Sequence, residues 1–502
     1  MVQRIYRWRW IILSLFFLFA SIINISREFL DLGGDSAQYI ILAEALSKGF
    51  GYRAVNYPNS PFFYYYPPFF SLLLCPIVYF FGRNFYLMHI LVIILGFLSL
   101  FFLYNIFKRY IDKKLAFFIT ILSATNWVFI IYSTKYILSD IPYLFLSTCT
   151  LFFLSKYLLK DNFLNKEGFL TLLGLILSYF TRYAGITLFL GILAVLLLSH
   201  NQRVKKVGFI FIGFLLFFLL WQITCKILNP SSLYSHSKQL FLIDPYRPFL
   251  GTIFSNPKYL LLRLIQGVNY YYEKVGYIFF FYFINKWDFL TDYLSLISII
   301  LIFLGLWIKF YQDKTCVFHY YFLFYFLLII FWPFREGVRF LLPTLPFMYF
   351  YFFIALKKVV SSLGQKISHS TFYILLFAFI IFNSISLLNQ GYTYQDSPKY
   401  HKNFIYLHQW VKENLSQEGL FFSRKPTITY FYTNHISIVY PFTLNPKAIW
   451  DEVLKNDIKY IIVDEFSRET HYYLLPFLNK YRDKIELLQS IGDTKVFEVL
   501  GR

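Results

Sequence analysis

The chain has 502 residues, 58% of them apolar and only 15% charged, whereas a soluble domain carries roughly a quarter charged residues. Lipid leaves a backbone polar group no partner outside its own helix or barrel, so the recurring uncharged runs exclude a soluble globule and point to a helical membrane bundle. The formal charge of +20 lies in short loops between apolar runs, which reads as membrane topology and excludes a nucleic-acid interface.

Arg4, Arg7 and Arg9 precede the first apolar stretch, and no small-residue cleavage site follows. Residues 1–26 are therefore expected to end in an uncleaved first span over 10–26. Next comes Leu32-Gly33-Gly34-Asp35-Ser36-Ala37-Gln38-Tyr39, which opens a helix over about 36–48. Asp35 with Gln38 three residues later fits a capping box, and a capping carboxylate can still present its second oxygen to a substrate. Residues 66–82, beginning Tyr66-Pro67-Pro68, are apolar enough to cross. Counting them as a span would put most of the later basic loops outside, so they are read as packed against the membrane within an outer loop, 27–84.

The basic loops follow in order: Lys108, Arg109, Lys113 and Lys114; Lys156, Lys160 and Lys166; Arg203, Lys205 and Lys206; Lys309 and Lys314; Lys357, Lys358 and Lys366. Short Lys/Arg-rich loops stay in the cytoplasm. Spans are then expected at 10–26, 85–107, 115–132, 141–158, 168–181, 184–199, 208–228, 293–309, 317–333, 340–356 and 371–389. This eleven-span chain has a cytoplasmic N-terminus and an outside C-terminus. The remaining acids of the membrane part, including Asp35, Asp140 and Glu336, fall on the outer side.

Asp140 lies at the outer mouth of a span in Leu138-Ser139-Asp140-Ile141-Pro142, where a second helix cap is the bland alternative. Arg182 interrupts an apolar run in Phe180-Thr181-Arg182-Tyr183-Ala184-Gly185 and is placed at a turn between two short helices. Arg335 and Arg339 follow in Pro333-Phe334-Arg335-Glu336-Gly337-Val338-Arg339. Arginine grips phosphate bidentately, which suits Arg182 and Arg339, whereas Arg335 is expected to snorkel to the interface. The four cysteines lie in or beside apolar runs without metal-ligand spacing.

Residues 390–502 change character, with 14 basic and 13 acidic residues evenly mixed. Ser397-Pro398 and Asn445-Pro446 read as helix starts. Residues 458–464 read as a buried strand, and 485–491 with 495–500 as a strand pair. The expected architecture is an all-α polytopic bundle over 1–389 with a small α/β domain over 390–502 on the outer side.

At these residues the chain resembles the GT-C glycosyltransferases, in the bacterial branch similar to protein O-mannosyltransferases and lipid A aminoarabinose transferases. The likeness rests on Asp35 with Tyr39, Leu42-Ala43-Glu44-Ala45-Leu46, Gly49-Phe50-Gly51-Tyr52, Tyr64-Tyr65-Tyr66-Pro67-Pro68, Leu138-Ser139-Asp140 and Arg339-Phe340-Leu341-Leu342-Pro343. Ser36 stands where protein O-mannosyltransferases often have Glu, and His89 where relatives often have Arg. The resemblance implies a multi-pass plasma-membrane enzyme that moves a sugar from a polyprenyl-phosphate donor to an envelope lipid, glycan or protein. It implies Asp35 as base, and Asp140 either orienting the acceptor or holding a divalent cation with Asp35. Arg182 and Arg339 would meet the donor phosphate, and Tyr39 and Tyr66 the substrate. A lipid-linked-sugar transporter or flippase is the competing class. It would typically show internal repeats and spans broken at midplane, and no repeat is legible here.

Overall fold

The computed structural model describes residues 9–29, 31–199, 202–228, 240–255, 257–362, 365–395, 399–416, 418–464 and 467–500. The expected helix start at Ser397-Pro398 and residues 1–8 lie outside these.

A helix stands at every segment read as a span: α1 (Arg9–Asn24), α4 (Phe85–Phe107), α5 (Lys113–Thr125) with α6 (Trp127–Thr134), α7 (Asp140–Tyr157), α8 (Lys166–Thr181), α9 (Gly185–Leu198), α10 (Arg203–Leu228), α12 (Thr291–Gln312), α13 (His319–Phe331), α14 (Leu345–Ser361) and α15 (Gln365–Gln395). Residues 27–84 hold α2 (Asp35–Ser47) and α3 (Phe69–Phe81), which pack against the bundle. By length and apolarity, five described helices suffice to cross a membrane, or six if the bent pair α5/α6 is one span. That is short of eleven. The remaining span-like helices are short or carry polar residues.

Two expectations need correction. Residues 115–132 are not one straight span, since α5 and α6 meet at 51°. Asn126 makes the break stable. Its side-chain oxygen accepts from Val128 N–H (2.9 Å), while its amide donates to the Ile278 carbonyl (3.1 Å) and to Tyr349 Oη (2.8 Å). A side-chain amide that satisfies the freed backbone lets a helix bend inside an apolar bundle.

The second correction is α11 (Pro257–Lys286), in a stretch to which the sequence reading gave no element. It packs deep in the bundle through Tyr271, Val275, Ile278 and Phe279, all at most 3% exposed. Tyr272 Oη donates to the Asp292 carbonyl (2.6 Å), and Gly276 lies against Ser295. This part of α11 therefore runs alongside the start of α12 in the same direction, before a non-helical residue at Phe280.

The basic loops gather at one end. Arg109 donates to the Ser155 carbonyl (2.9 Å), Lys206 to that of Lys160 (2.7 Å) and Lys309 to that of Tyr110 (2.8 Å), while Lys357 pairs with Asp112 (3.2 Å). The charge alternation thus sorts the loops onto a common face.

The carboxy-terminal domain contains α16 (Lys399–Asn414), β1 (Leu420–Phe422), α17 (Pro426–Thr433), β2 (Ser437–Ile438), α18 (Pro446–Lys455), β3 (Ile458–Asp464), α19 (Leu475–Lys480), β4 (Ile485–Ile491) and β5 (Thr494–Val499). Sheet order is β2-β1-β3-β5-β4, with β2, β1 and β3 parallel and β5 antiparallel to both neighbours. Leu407 and Val411 of α16 cover one face with Phe421, Tyr460 and Ile462. Ile449, Val453 and Phe477 cover the other with Phe422, Ile461 and Val463. Burial on both faces explains why β3 reads as a nearly unbroken apolar run. Asn445 caps α18 by accepting from Lys447 N–H (3.1 Å).

Helix α17 belongs to both parts. Its Ile428 and Phe431 join the core of the membrane bundle, where Phe431 stacks near Phe29 at 4.4 Å. Arg83, paired with Glu44 (2.5 Å), donates to the Phe431 carbonyl (2.5 Å) and lies 4.5 Å from that ring's centre.

Candidate active site

Asp35 is the first residue of α2, but it does not cap it. Asp31 does. Its two carboxylate oxygens accept from Gly33 N–H (2.8 Å) and Ser36 N–H (2.9 Å). Gly34 takes φ +102° in the turn, a conformation that favours glycine. Gln38 turns away, its amide pairing with Asn56 (Nδ2 to Oε1 3.2 Å) and Thr427 (3.1 Å). The capping-box expectation is overturned, because the acid four residues upstream meets the free N–H groups first. That leaves the Asp35 carboxylate for the site. Asp31→Ala should lower stability by about 1 kcal/mol, read as the unfolding midpoint in detergent. A loss no greater than that of an exposed Asp→Ala control would remove Asp31 as the cap.

Asp140 opens α7, and its side chain also makes no cap bond. It is 1% exposed. Arg182 reaches it because α8 ends at Thr181 and Arg182 is extended before α9 begins. The turn needs Gly185, since a Cβ there would lie 2.7 Å from the Tyr179 backbone. Arg339 comes from the 3-10 segment Gly337–Thr344 that leads into α14.

These pieces converge. Arg339 bridges the two acids, with Nη1 on Asp35 Oδ2 (2.7 Å) and Nε on Asp140 Oδ2 (3.0 Å). Arg182 Nη1 pairs with Asp140 Oδ1, and its guanidinium lies 5.1 Å from the centre of Phe340. Tyr66 Oη donates to Asp35 Oδ1 (2.6 Å). Glu336 stands 3.7 Å from Arg339. Tyr39 stacks on Tyr66 at 4.9 Å and spends its hydroxyl on Ser139 Oγ (2.9 Å), so it ties α2 to the start of α7. At 3% exposure it ties these two elements together. Arg335 does not snorkel. It donates to the Ile329 and Ile330 carbonyls (3.1 Å each) and closes the end of α13.

Burial pushes the Asp35 carboxyl up, but the charge of Arg339, the bonds from Tyr66 and Arg339, and the charge of Lys425 outweigh it. They hold Asp35 below the usual aspartate value. Burial pushes Glu336 up, and Arg339 only partly offsets this against the charges of Asp35 and Asp140. Asp35 is thus ionised at neutral pH and able to accept a proton.

A divalent cation does not fit between the acids. Tyr66, Arg182 and Arg339 already donate to all four oxygens of Asp35 and Asp140. Among the described residues no group of three or more His, Cys, Asp or Glu could hold a metal ion. Arg339 occupies the space between the two acids, where the sequence reading left room for a cation as one of two alternatives.

Sequence reasoning missed Asp31, Ser139 as the anchor of Tyr39, and Lys425, whose Nζ donates to the Gly33 carbonyl (2.7 Å). Asp31 was findable, since Asp31-Leu-Gly-Gly-Asp35 offers two candidate caps. Lys425 was not, because only the fold carries it across the chain.

The family model of dolichyl-phosphate-mannose-protein mannosyltransferases matches residues 66–224. The oligosaccharyltransferase AglB from Archaeoglobus fulgidus, solved with an inhibitory peptide and a dolichol-phosphate, superposes with a TM-score of 0.62. It is 14% identical, over 95% of this chain and 72% of that one. ArnT from Cupriavidus metallidurans, bound to undecaprenyl phosphate, superposes with a TM-score of 0.58 at 12% identity, over 97% of each chain.

The chain has the GT-C fold.

Another structure of the Archaeoglobus protein, a complex with Zn and sulfate, is similar to this GT-C chain at a TM-score of 0.58 and 15% identity, over 94% of this chain and 70% of that one. A comparison with curated protein sequences gives no match.

Proposed function

We propose that this GT-C protein transfers a sugar from a polyprenyl-phosphate donor to a hydroxyl of a cell-envelope acceptor, with inversion, on the outer face of the plasma membrane. The observation that carries this reading is Arg339 bridging Asp35 and Asp140 from separate outer segments, at the end of the bundle away from the basic loops. Asp35 takes the acceptor proton as the acceptor oxygen bonds to the anomeric carbon. The bond from that carbon to the phosphate oxygen breaks, and the electron pair leaves with polyprenyl phosphate. A phosphate leaving group needs little general-acid help, so one carboxylate suffices.

Arg182 and Arg339 would steady the departing phosphate. A guanidinium has five N–H donors, and the bonds to the two acids use one from Arg182 and two from Arg339. Asp140, held by both arginines, sets their geometry. Tyr66 orients Asp35. The test is binding of undecaprenyl phosphate to the purified protein by native mass spectrometry, against undecaprenol as control. Binding that prefers the phosphate supports the reading, and equal binding of both removes the phosphate site.

The eleven-span topology is part of the proposal, with α2 and α3 packed on the outer side and α11 entering the bundle from that side without crossing. Cysteine labelling should find positions 113 and 205 on the cytoplasmic side, and 140 and 459 outside. Positions 113 and 459 on the same side would contradict it.

A further inference from the structure

The carboxy-terminal domain reaches the site through a charged side chain, Lys425. Residues Ser423-Arg424-Lys425 leave the C-terminal end of β1 and lead into α17, which packs on the outer loop. Arg424 is held inside its own domain, with Nε on Asp464 Oδ2 (3.1 Å) and Nη1 3.9 Å from Glu469. Asp464 is 3% exposed and also accepts from Ser467 and Thr470. This network fixes the backbone that aims Lys425 outward from the domain. Half-buried Lys425 crosses to the bundle and donates to the carbonyl of Gly33, inside the turn that delivers Asp35. Thr427 and Ile428 close over Gly34 in that same turn.

We infer that the carboxy-terminal domain is a working part of the catalytic centre, with Lys425 the positioning residue that holds the Gly33-Gly34-Asp35 turn and supplies it with a positive charge. This rests on the reading of Asp35 as the base. The charges around Asp35 come from every side: Arg339 and Glu336 from the segment before α14, Asp140 and Arg182 behind Arg339, Tyr66 from the outer loop, Asp31 across the turn, and Lys425 from the domain. Arg339 is shared between two acids. Lys425 meets a neutral carbonyl, so its charge acts on the acids around the turn. Asp35, Asp31 and Glu336 all bear on it in return. The sign is fixed. Removing a cation beside a carboxylate raises its pKa, so loss of Lys425 should move the acid limb of the rate profile to higher pH.

The experiment compares Lys425→Met, Lys425→Arg and Thr427→Val in the full-length protein. It follows sugar transfer from a purified polyprenyl-phosphate sugar between pH 3.5 and 8, with recovery at neutral pH checked after each exposure. Thr427→Val removes an interface hydrogen bond, that to Gln38 (3.1 Å), without changing charge. The expected result is an acid limb raised by up to about one pH unit in Lys425→Met. With it should come a fall in kcat on the order of tenfold, at nearly unchanged donor KM. Lys425→Arg should restore both, and Thr427→Val should leave the limb in place. An unmoved limb in Lys425→Met, or an equal shift in Thr427→Val, overturns the inference. If Lys425→Met does not fold, the limb of Lys425→Gln replaces it under the same criteria. Failure of the base assignment shows separately, as retained transfer by Asp35→Asn with Lys425 intact.

Discussion

Asp35→Asn is expected to lower sugar transfer about 10²–10⁴-fold, the range of a lost general base, with the protein still folded. The structure sharpens this expectation. Asp31 and not Asp35 caps α2, so neither Asn nor Ala at position 35 removes a helix cap. Asparagine keeps the size of the side chain and one acceptor oxygen for Tyr66 or Arg339, but it has no charge and no useful basicity. Asp35→Ala should therefore be as inactive as Asp35→Asn, with little difference in unfolding midpoint between them. The same pairing makes stability depend on pH. A carboxyl whose pKa is lowered by folding adds stability above its unfolded value of about 3.9, which is lost as pH falls through the lower folded value. Asp35→Asn should remove that part of the acid sensitivity. Near-normal transfer by Asp35→Asn would move the base to Asp140.

Arg339→Met is expected to cost about 3–5 kcal/mol, the range for breaking a buried ion pair from one side. The Arg339 side chain is 11% exposed and Asp140 1%, so water cannot replace the lost partner. Asp140 would then keep only Arg182 as a charged partner among the bonds described, and Asp35 would keep its bond from Tyr66. Arg339→Lys should recover part of the stability and little of the transfer. A single ammonium cannot reproduce the fork that places Nε on Asp140 and Nη1 on Asp35. Unfolding midpoints in detergent, with transfer rates on the same preparations, check both variants. A midpoint unchanged in Arg339→Met would mean that the bridge adds nothing to the fold.

Much of the architecture was legible because lipid simplifies the code. Helix α4 spans 85–107, as its apolar run does, and β3 spans 458–464. The break at Arg182 was readable because an arginine interrupts a run too long for one helix. Helix α11 was not read, because Lys258, Arg263, Glu273 and Lys274 break its apolar character. Its buried positions 271, 275, 278 and 279 nonetheless keep helical spacing. A search for spans weighs charge before period, and so passes over a helix that packs within the bundle.

The site divides in the same way. Asp35, Asp140, Arg182 and Arg339 could be named one by one, since charges at a membrane face are few. Their joint geometry could not be. The spacing of Asp35 and Gln38 suggested a cap, and of the two acids the sequence offered there the fold gives that place to Asp31. Two carboxylates left open an acceptor-orienting acid or a shared cation, and the fold brings Arg339 between them. Tyr39 carries the family pattern, yet its hydroxyl serves Ser139.

The most direct test of the proposed transfer is to follow a radiolabelled sugar supplied as its polyprenyl phosphate in vesicles that contain the protein and envelope material. The account predicts that label passes to a non-prenyl product in vesicles with the wild-type protein and remains on the prenyl phosphate with Asp35→Asn. Label that crosses the bilayer still attached to its prenyl phosphate, equally in both, would contradict transfer and establish the protein as a carrier of lipid-linked sugar.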